Sequence, residues 1–358
     1  MMNFSRLLTL AVAAASLTAL SPVVAAQNNN QNNRQEQQRS QAEQRDIQAV
    51  VQLVDAVSAG KQPAPTDIGV TWESSHFVKG GDGSTYIPFT VTVNRSAMAM
   101  PGAAVYVRVV NKGATPAPAP AADQNNRNNN RNQQQQRVVY PWDNVHFLEV
   151  PASGKVSRAM ALKPGEYEVF IAVKERGPAE PPRNAPPAKM GLLRRDLTVP
   201  DFNLPDLSTS SIIVADAIEP ITTPLTREQQ QENPYTFGTM RVVPSETGKL
   251  KKSGELQVLF WIYGTQQQAG KPNVIVEYNF HVKNPDGTEK YFNKTAPQEL
   301  NAQTLPPQFD VAAEHQLPGS LVVPLMSFPA GDYRLEIKIT DKVSGKTLTQ
   351  NANFTVEA

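Results

Sequence analysis

Residues 162–167 read Leu-Lys-Pro-Gly-Glu-Tyr and residues 328–333 read Phe-Pro-Ala-Gly-Asp-Tyr, and these two stretches decide the fold of the chain. In both, an apolar residue lies five positions before the tyrosine, a glycine two positions before it and an acid directly before it. After each tyrosine, apolar residues occupy every second position, which is typical of a strand with one buried face. The sequence therefore predicts two strands, each entered through a glycine-containing turn.

Two further matches flank these stretches in the same order along the chain. Residues 83–89 (Gly-Ser-Thr-Tyr-Ile-Pro-Phe) parallel residues 254–260 (Gly-Glu-Leu-Gln-Val-Leu-Phe), and residues 197–199 parallel residues 354–356. Because the matches keep their order, we interpret them as one domain type that is present twice and joined around residues 200–205. The predicted domains are residues 62–200 and residues 206–358.

A tyrosine near the start of a strand that follows a turn is typical of a tyrosine corner. In that motif the ring joins the core and the hydroxyl group binds the backbone a few residues upstream. The chain thus resembles immunoglobulin-like and fibronectin type III domains, without the Cys and Trp marks of antibody domains. The second half is also similar to the C-terminal immunoglobulin-like segments of uncharacterised acidobacterial exported proteins, through residues 211–216 and 331–335. The resemblance implies an all-β fold of two tandem immunoglobulin-like β-sandwich domains and an exported protein, and it implies no particular activity.

The N-terminus is typical of a signal peptide that spans residues 1–26. Arg6 supplies the positive charge, residues 7–20 form an apolar run, and small residues precede the expected cleavage site. We therefore expect an exported protein that is periplasmic or extracellular, with an uncleaved N-terminal anchor as the alternative. No second apolar run of that length follows, so we expect no transmembrane segment in the mature chain. Without cysteine, the chain can carry neither a lipidated N-terminal cysteine nor a disulfide.

The segments outside the predicted strands have two kinds of composition. Residues 27–45 and the insert 111–137 are rich in Asn, Gln, Pro or Ala, and we expect both to be disordered. Residues 46–60 instead carry valines and an isoleucine at helical spacing, which predicts a short amphipathic helix. We expect this helix to dock on the first domain, with binding to a partner protein as the alternative.

Candidate metal ligands are few in this sequence. Residues 206–210 match the Asp-x-Ser-x-Ser metal-adhesion signature, but no alternating strand and helix pattern surrounds them, so we interpret them as a turn. The four histidines are His76, His146, His281 and His315. None forms a zinc-binding pair by spacing, and the pattern places His281 on a solvated strand face. For the other three, nothing in the sequence argues against a place at the surface. We predict no metal and no cofactor.

Catalytic patterns are also missing from the sequence. There is no cysteine, no Gly-x-Ser-x-Gly elbow and no Ser-x-x-Lys pair, and Glu166 and Glu168 merely alternate outward along a strand. Spacing leaves a glycosidase carboxylate pair open, because two such groups meet only in the fold. A formal net charge of +1 gives no electrostatic reason for nucleic-acid binding. We predict no catalytic residues.

Two apolar positions on otherwise outward strand faces could serve recognition. Phe170 points away from the core side of its strand, and the pattern favours contact with the helix or the neighbouring domain. Leu259, Trp261 and Tyr263 make a second strand apolar on both faces, which favours packing between the domains or a partner site.

The function that follows is a non-enzymatic exported binding or scaffolding protein of the cell envelope. Its binding residues are unknown, and its partner would be an unknown protein or an envelope polymer. One alternative is a carbohydrate-active or other hydrolase with an unrecognised carboxylate site. Another is an envelope-assembly factor that acts through a sheet edge.

Overall fold

The computed structural model describes residues 40–113, 139–177, 186–311 and 313–358. The described chain divides into two compact units, a first domain that ends at Phe202 and a second domain that begins at Asn203. The predicted signal peptide, most of the first Asn/Gln-rich segment and most of the predicted insert lie outside the described residues. No helix in the described ranges is long and apolar enough to cross a membrane.

The described part of the first domain contains one α-helix and eight strands. They are α1 (Gln41–Ser58), β1 (Val70–Ser75), β2 (Val78–Lys79), β3 (Thr85–Val93), β4 (Gly102–Asn111), β5 (Trp142–Glu149), β6 (Lys155–Leu162), β7 (Gly165–Glu175) and β8 (Met190–Val199).

The second domain is built from a short helix and shorter and longer strands. They are β9 (Ser208–Thr209), β10 (Ile213–Pro220), α2 (Arg227–Glu232), β11 (Thr236–Phe237), β12 (Met240–Pro244), β13 (Lys249–Lys251), β14 (Glu255–Tyr263), β15 (Gln267–Gln268), β16 (Lys271–Pro272), β17 (Val274–Lys283), β18 (Glu289–Lys294), β19 (Gln298–Leu300), β20 (Leu317–Pro324), β21 (Gly331–Asp341) and β22 (Thr347–Glu357).

The first domain is a sandwich of two antiparallel sheets. In one sheet β3 pairs with β1 and β2 on one side and with β6 on the other, and the second sheet has the order β5-β4-β7-β8. Alternate residues of each strand point between the sheets and form one apolar core. Within it, Trp72 of β1 stacks on Phe89 of β3 with ring centroids 4.9 Å apart.

The second domain repeats this strand arrangement. The sheet β10-β14-β20 corresponds to β1-β3-β6, and β18-β17-β21-β22 corresponds to β5-β4-β7-β8. Additional short strands extend both sheets, and β13 pairs with β22 in parallel. The prediction of an all-β fold with immunoglobulin-like sandwiches is therefore confirmed.

Both predicted tyrosine corners are present with matching geometry. The Tyr167 hydroxyl donates to the carbonyl oxygen of Lys163 at 2.9 Å, and the Tyr333 hydroxyl donates to that of Pro329 at 2.8 Å. Both rings are buried in the core of their domain. The glycine two positions before each tyrosine has a φ of 152°, which residues with a side chain rarely adopt.

Helix α1 begins earlier than the sequence pattern predicted. The Ser40 hydroxyl accepts a hydrogen bond from the Glu43 N–H at 3.2 Å, and the Glu43 carboxylate accepts one from the Ser40 N–H at 3.3 Å. This capping box starts the helix at Gln41 rather than at residue 46, because it satisfies free N–H groups of the first turn. The expectation of disorder is therefore wrong for residues 40–45. The predicted insert is also too long at its start, since β4 continues to Asn111.

Removal of one corner hydroxyl tests the role of this bond. We expect Tyr333→Phe to lower the free energy of unfolding of the second domain by about 1–3 kcal/mol, because it leaves a partly buried carbonyl oxygen unpaired. The control is Tyr291→Phe, since the Tyr291 side chain is exposed, and we expect a change within about 0.5 kcal/mol. Urea unfolding of the full chain, read for each domain by pulsed hydrogen exchange, measures both. Equal effects at the two positions would contradict the corner.

Candidate functional site

The metal-adhesion match occupies a structural turn. Asp206 is exposed and pairs with Lys346 at 2.8 Å, while the Ser210 hydroxyl accepts from the Trp261 N–H and donates to the Ser211 carbonyl oxygen, each at 2.9 Å. These contacts tie the start of the second domain to its own sheet. In the described ranges no cluster of three or more His, Cys, Asp or Glu residues could hold a metal ion.

The histidines lie in more buried places than the sequence indicated. Burial lowers the pKa of His76 to about 4, and burial together with the charge of Arg158 lowers the pKa of His146 to about 4. His146 faces the core because it lies opposite the buried Val105 across the β4–β5 ladder. Both histidines are partly covered rather than at the open surface. For His146 the reason is the pairing of β5 with β4, which was not visible in the sequence.

The other two histidines make polar or aromatic contacts in the second domain. The His281 side chain is only 19% exposed; its Nε2 atom lies 4.0 Å from a Glu336 oxygen and its ring meets the edge of Tyr291. His281 is thus on the predicted strand face but is not freely solvated. His315 accepts a hydrogen bond from the Asp310 N–H through Nδ1 at 3.0 Å.

The carboxyl groups whose pKa is shifted are held in the ionised form. Burial alone would raise the pKa of Glu336, but hydrogen bonds from Arg334 and Asn279 outweigh burial and lower it. Burial likewise opposes ionisation of Asp341, and the hydroxyl of Ser344 and several backbone N–H groups lower its pKa. A general acid in a glycosidase needs the opposite shift.

The outer face of the sheet β5-β4-β7-β8 is covered by helix α1 in the first domain. We call it the covered face; its buried apolar residues are Tyr106, Phe170, Ala172 and Leu192, and α1 contributes Val50, Leu53, Val54 and Val57. Phe170 is fully buried in this contact. Of the two coverings that the sequence favoured for Phe170, the structure shows the helix.

Ion pairs hold α1 near both of its ends. Near its start, Asp46 pairs with Lys174 of β7 at 2.5 Å and with Arg176, which directly follows β7, at 3.3 Å. Near its end, Asp55 pairs with the buried Arg108 of β4. Buried cations need such partners, because an unpaired charge in an apolar contact is costly.

Aromatic rings complete the surroundings of Arg108. Its Nε atom donates to the Tyr106 hydroxyl at 2.6 Å, and its guanidinium carbon lies 4.1 Å from the centre of the Tyr140 ring. Burial and the neighbouring carboxylate of Asp143 raise the pKa of Tyr106, so this hydroxyl stays protonated. The side of the covered face next to α1 is therefore a closed structural network.

The equivalent face of the second domain is polar. We call it the polar face; it is formed by Glu277, Asn279, His281, Tyr291, Arg334, Glu336, Lys338, Asn351 and Asn353. Glu336 lies three positions after the corner Tyr333, as Phe170 lies three positions after Tyr167. One outward position has thus become apolar and covered in one domain and charged in the other.

Hydrogen bonds that join three strands, β18, β21 and β22, hold side chains of the polar face in place. Arg334 donates to Glu289 at 2.7 Å, to Glu336 at 3.2 Å and to Asn351 at 2.7 Å. At the edge of this face the Tyr291 ring is 52% exposed. The face therefore offers preorganised amide, carboxylate and guanidinium groups beside one exposed aromatic ring.

The other recognition candidate of the sequence is buried. Leu259, Trp261 and Tyr263 are each at most 5% exposed, and Trp261 packs against Phe237 of β11 with ring centroids 4.8 Å apart. Cover over Trp261 thus comes from its own domain. The sequence did not predict this, because β11 is too short to give a strand pattern.

No protein-family model matches the chain, and no curated protein matches it either. Among solved structures it is similar to an immunoglobulin-like protein from Pseudomonas aeruginosa, with 13% identity and a TM-score of 0.19, over 41% of this chain and 97% of that one. It is also similar to trypsin-activated alpha-2-macroglobulin from Escherichia coli, with 9% identity and a TM-score of 0.21, over 82% of this chain and 17% of that one. For red sea bream transglutaminase the values are 9% and 0.21, over 85% of this chain and 33% of that one.

The chain therefore spans 17% and 33% of the length of these two longer proteins. TM-scores at this level carry no argument about the fold or the function. The immunoglobulin-like architecture rests instead on the repeated strand order and on the two tyrosine corners.

The buried histidines predict that the first domain loses stability in mild acid. Each has a folded pKa of about 4 against an ordinary value of 6.5, so between these values the unfolded state binds more protons. Stability is complete above about pH 6.5 and falls as the pH drops towards 4, by up to about 3 kcal/mol for each histidine. In the second domain the lowered pKa values of Glu336 and Asp341 place the loss below about pH 4.5.

Urea unfolding between pH 7.5 and 3.5 measures these losses for each domain. We expect His146→Gln to flatten the pH dependence of the first domain, and the control His315→Gln to leave it unchanged. An unchanged slope in His146→Gln would contradict the buried neutral histidine.

Proposed function

We propose that this chain is an exported, non-enzymatic binding or scaffolding protein of the cell envelope, and that its second domain binds the partner through the polar face. The observation that carries the proposal is the contrast between equivalent faces. The covered face is filled by the chain's own helix, whereas the polar face holds an ordered set of hydrogen-bonding groups and the exposed Tyr291. Packing of the core does not require these hydrogen bonds, since a solvated strand face needs no network between its side chains.

The chemistry of the polar face suits an envelope polymer rich in hydroxyl and amide groups. Asn351 and Asn353 offer amide donors and acceptors, and Arg334 and Glu336 hold each other in place. The exposed ring of Tyr291 offers an apolar surface against which a sugar ring can pack. Fixed side chains lose little entropy on binding, which favours affinity without a deep cleft.

Export is supported by the sequence alone. The charged start, the apolar run and the small residues before residue 27 follow the pattern of a signal peptide. The similarity of residues 211–216 and 331–335 to acidobacterial exported proteins points the same way.

The hydrolase alternative is less well supported by the carboxyl groups. Those of Glu336 and Asp341 are stabilised in the ionised form, and Glu336 lies beside a guanidinium group rather than opposite a second carboxylate. The assembly alternative depends on an open sheet edge, which strand β6 of the first domain offers.

Co-sedimentation with purified peptidoglycan sacculi tests the polar face. We expect the chain to bind, and we expect the double variant Tyr291→Ala/Asn353→Ala to bind at least about tenfold more weakly, because one packing surface and one hydrogen-bonding group are lost. The matched control is Met326→Ala, an exposed apolar residue of the same domain that lies outside the polar face.

Three outcomes would count against the proposal. They are no binding by the unchanged chain, an equal loss in Met326→Ala, or release of soluble fragments from the sacculi during incubation. The last outcome would instead favour the hydrolase.

A further inference from the structure

Strand β6 is the outermost strand of its sheet in the first domain, and β20 holds the same place in the second domain. In β6, Met160 lies opposite Ile87, and in β20 Leu321 lies opposite Val258. The matching stretches 83–89 and 254–260 make Ile87 equivalent to Val258. Ala159 therefore corresponds to Ser320, and Ala161 to Val322.

The backbone of β20 is protected against further pairing. The backbone N–H and C=O positions of its even-numbered residues are directed away from β14. Two of these residues, Pro318 and Pro324, have no N–H group. Another, Ser320, donates its N–H to Gln298 at 3.3 Å, and its carbonyl oxygen accepts from the Tyr278 hydroxyl at 3.1 Å. The fourth, Val322, keeps its N–H group and lies between Ser320 and Pro324. Proline and covered groups at an edge prevent strand addition.

The backbone of β6 has no such protection. The Val93 N–H donates to the Gly154 carbonyl oxygen at 2.8 Å. Because the direction of the backbone N–H and C=O groups alternates along a strand, even-numbered residues of β6 direct these groups to β3 and odd-numbered residues direct them away from the sheet. Within the described part of the chain, Ala159 and Ala161 make no hydrogen bond through their outward N–H and C=O groups. Strand β6 contains no proline, and its outward-facing side chains beyond Lys155 are small.

The spacing of these groups is self-complementary. If a second β6 lies antiparallel with Ala159 opposite its own copy, Ser157 faces Ala161 of the second copy, and all three positions can exchange N–H···O bonds. Ser157 already accepts a bond from Arg158 at 2.8 Å, and a carbonyl oxygen has a second lone pair for another. In the same register Arg158 faces Met160, so no like charges meet at the centre.

We propose that two copies of this chain associate through antiparallel pairing of their β6 strands about Ala159. Such a contact is two-fold symmetric and closed, so it uses the open edge of both copies and leaves none free. The lysines at positions 155 and 163 lie at the two ends of the pairing, where salt screens their repulsion. The dimer should therefore tighten when the salt concentration rises. This inference is independent of ligand binding at the polar face.

Single cysteines in this cysteine-free chain test the register. Opposed residues of a hydrogen-bonded antiparallel pair have Cα atoms about 5.5 Å apart, within the range that a disulfide spans. We expect Ala159→Cys to form a disulfide-linked dimer under mild oxidation. Ala161→Cys should not, because the two copies of residue 161 would lie roughly 13 Å apart along the strands. Ser320→Cys is the control in the protected strand.

Proline substitutions at equivalent positions test the hydrogen bonds. Ala161→Pro removes an outward N–H without breaking a bond to β3, and Val322→Pro does the same in β20. By analytical ultracentrifugation we expect Ala161→Pro to raise the dissociation constant of the dimer at least about tenfold, and Val322→Pro to leave it unchanged. Circular dichroism verifies that both variants fold. If Ala161→Pro does not fold, the cross-linking of the cysteine variants decides whether the β6 strands pair.

Self-pairing is overturned if Ala159→Cys stays monomeric, or if Ala161→Cys and Ser320→Cys cross-link as readily. A chain that is monomeric at every concentration would leave the β6 edge to a strand from a different protein. If the unchanged chain dimerises but does not bind the polymer, only the function proposed for the polar face is contradicted.

Discussion

The hydrogen bond from a strand tyrosine to the carbonyl oxygen four residues earlier is the constraint on which both domains depend. Strands β6 and β7 belong to different sheets, so the turn between them carries the chain across the sandwich. The Tyr167 hydroxyl fixes this turn while its ring fills the core. In the second domain the Tyr333 ring also stacks on Phe354 of β22 with centroids 5.3 Å apart. One tyrosine side chain thus fixes the turn between the two sheets, fills part of the core and determines where the strand begins.

Once the corner fixes the register, the two faces of each strand can diverge independently. Side chains alternate with a period of two, so a change at an outward position leaves the core untouched. Phe170 and Glu336 illustrate the result, because each lies three residues after its corner tyrosine. The apolar choice requires a cover, which α1 supplies with ion pairs near both ends. The charged choice requires only partners within its own sheet, which Arg334 and Asn279 supply.

The sequence predicted those features that depend on local spacing. The alternation after Tyr167 and Tyr333 and the turn before each were sufficient for the sandwich fold, because both signals lie within a few residues. Features that depend on pairing between distant strands were missed. The burial of His146 follows from its position opposite Val105, and the cover of Trp261 follows from Phe237, which lies 24 residues earlier in the chain. The start of α1 was missed for another reason, since Ser40 lies in a polar tract whose composition favours disorder.

The direction of backbone hydrogen bonds is a further property that residue patterns do not contain. Strands β6 and β20 both alternate apolar and small or polar residues, so they read alike as half-buried strands. A proline protects an edge only at a position whose backbone N–H group would point away from the sheet. The hydrogen bonds to the partner strand decide whether the odd-numbered or the even-numbered residues hold these positions. In β20 the prolines and Ser320 are among the residues whose backbone groups point away from the sheet, whereas in β6 the equivalent of Ser320 is Ala159, whose N–H group makes no hydrogen bond within the described residues. A duplicated domain can therefore keep its fold and core while one copy closes an edge and the other leaves it available for association.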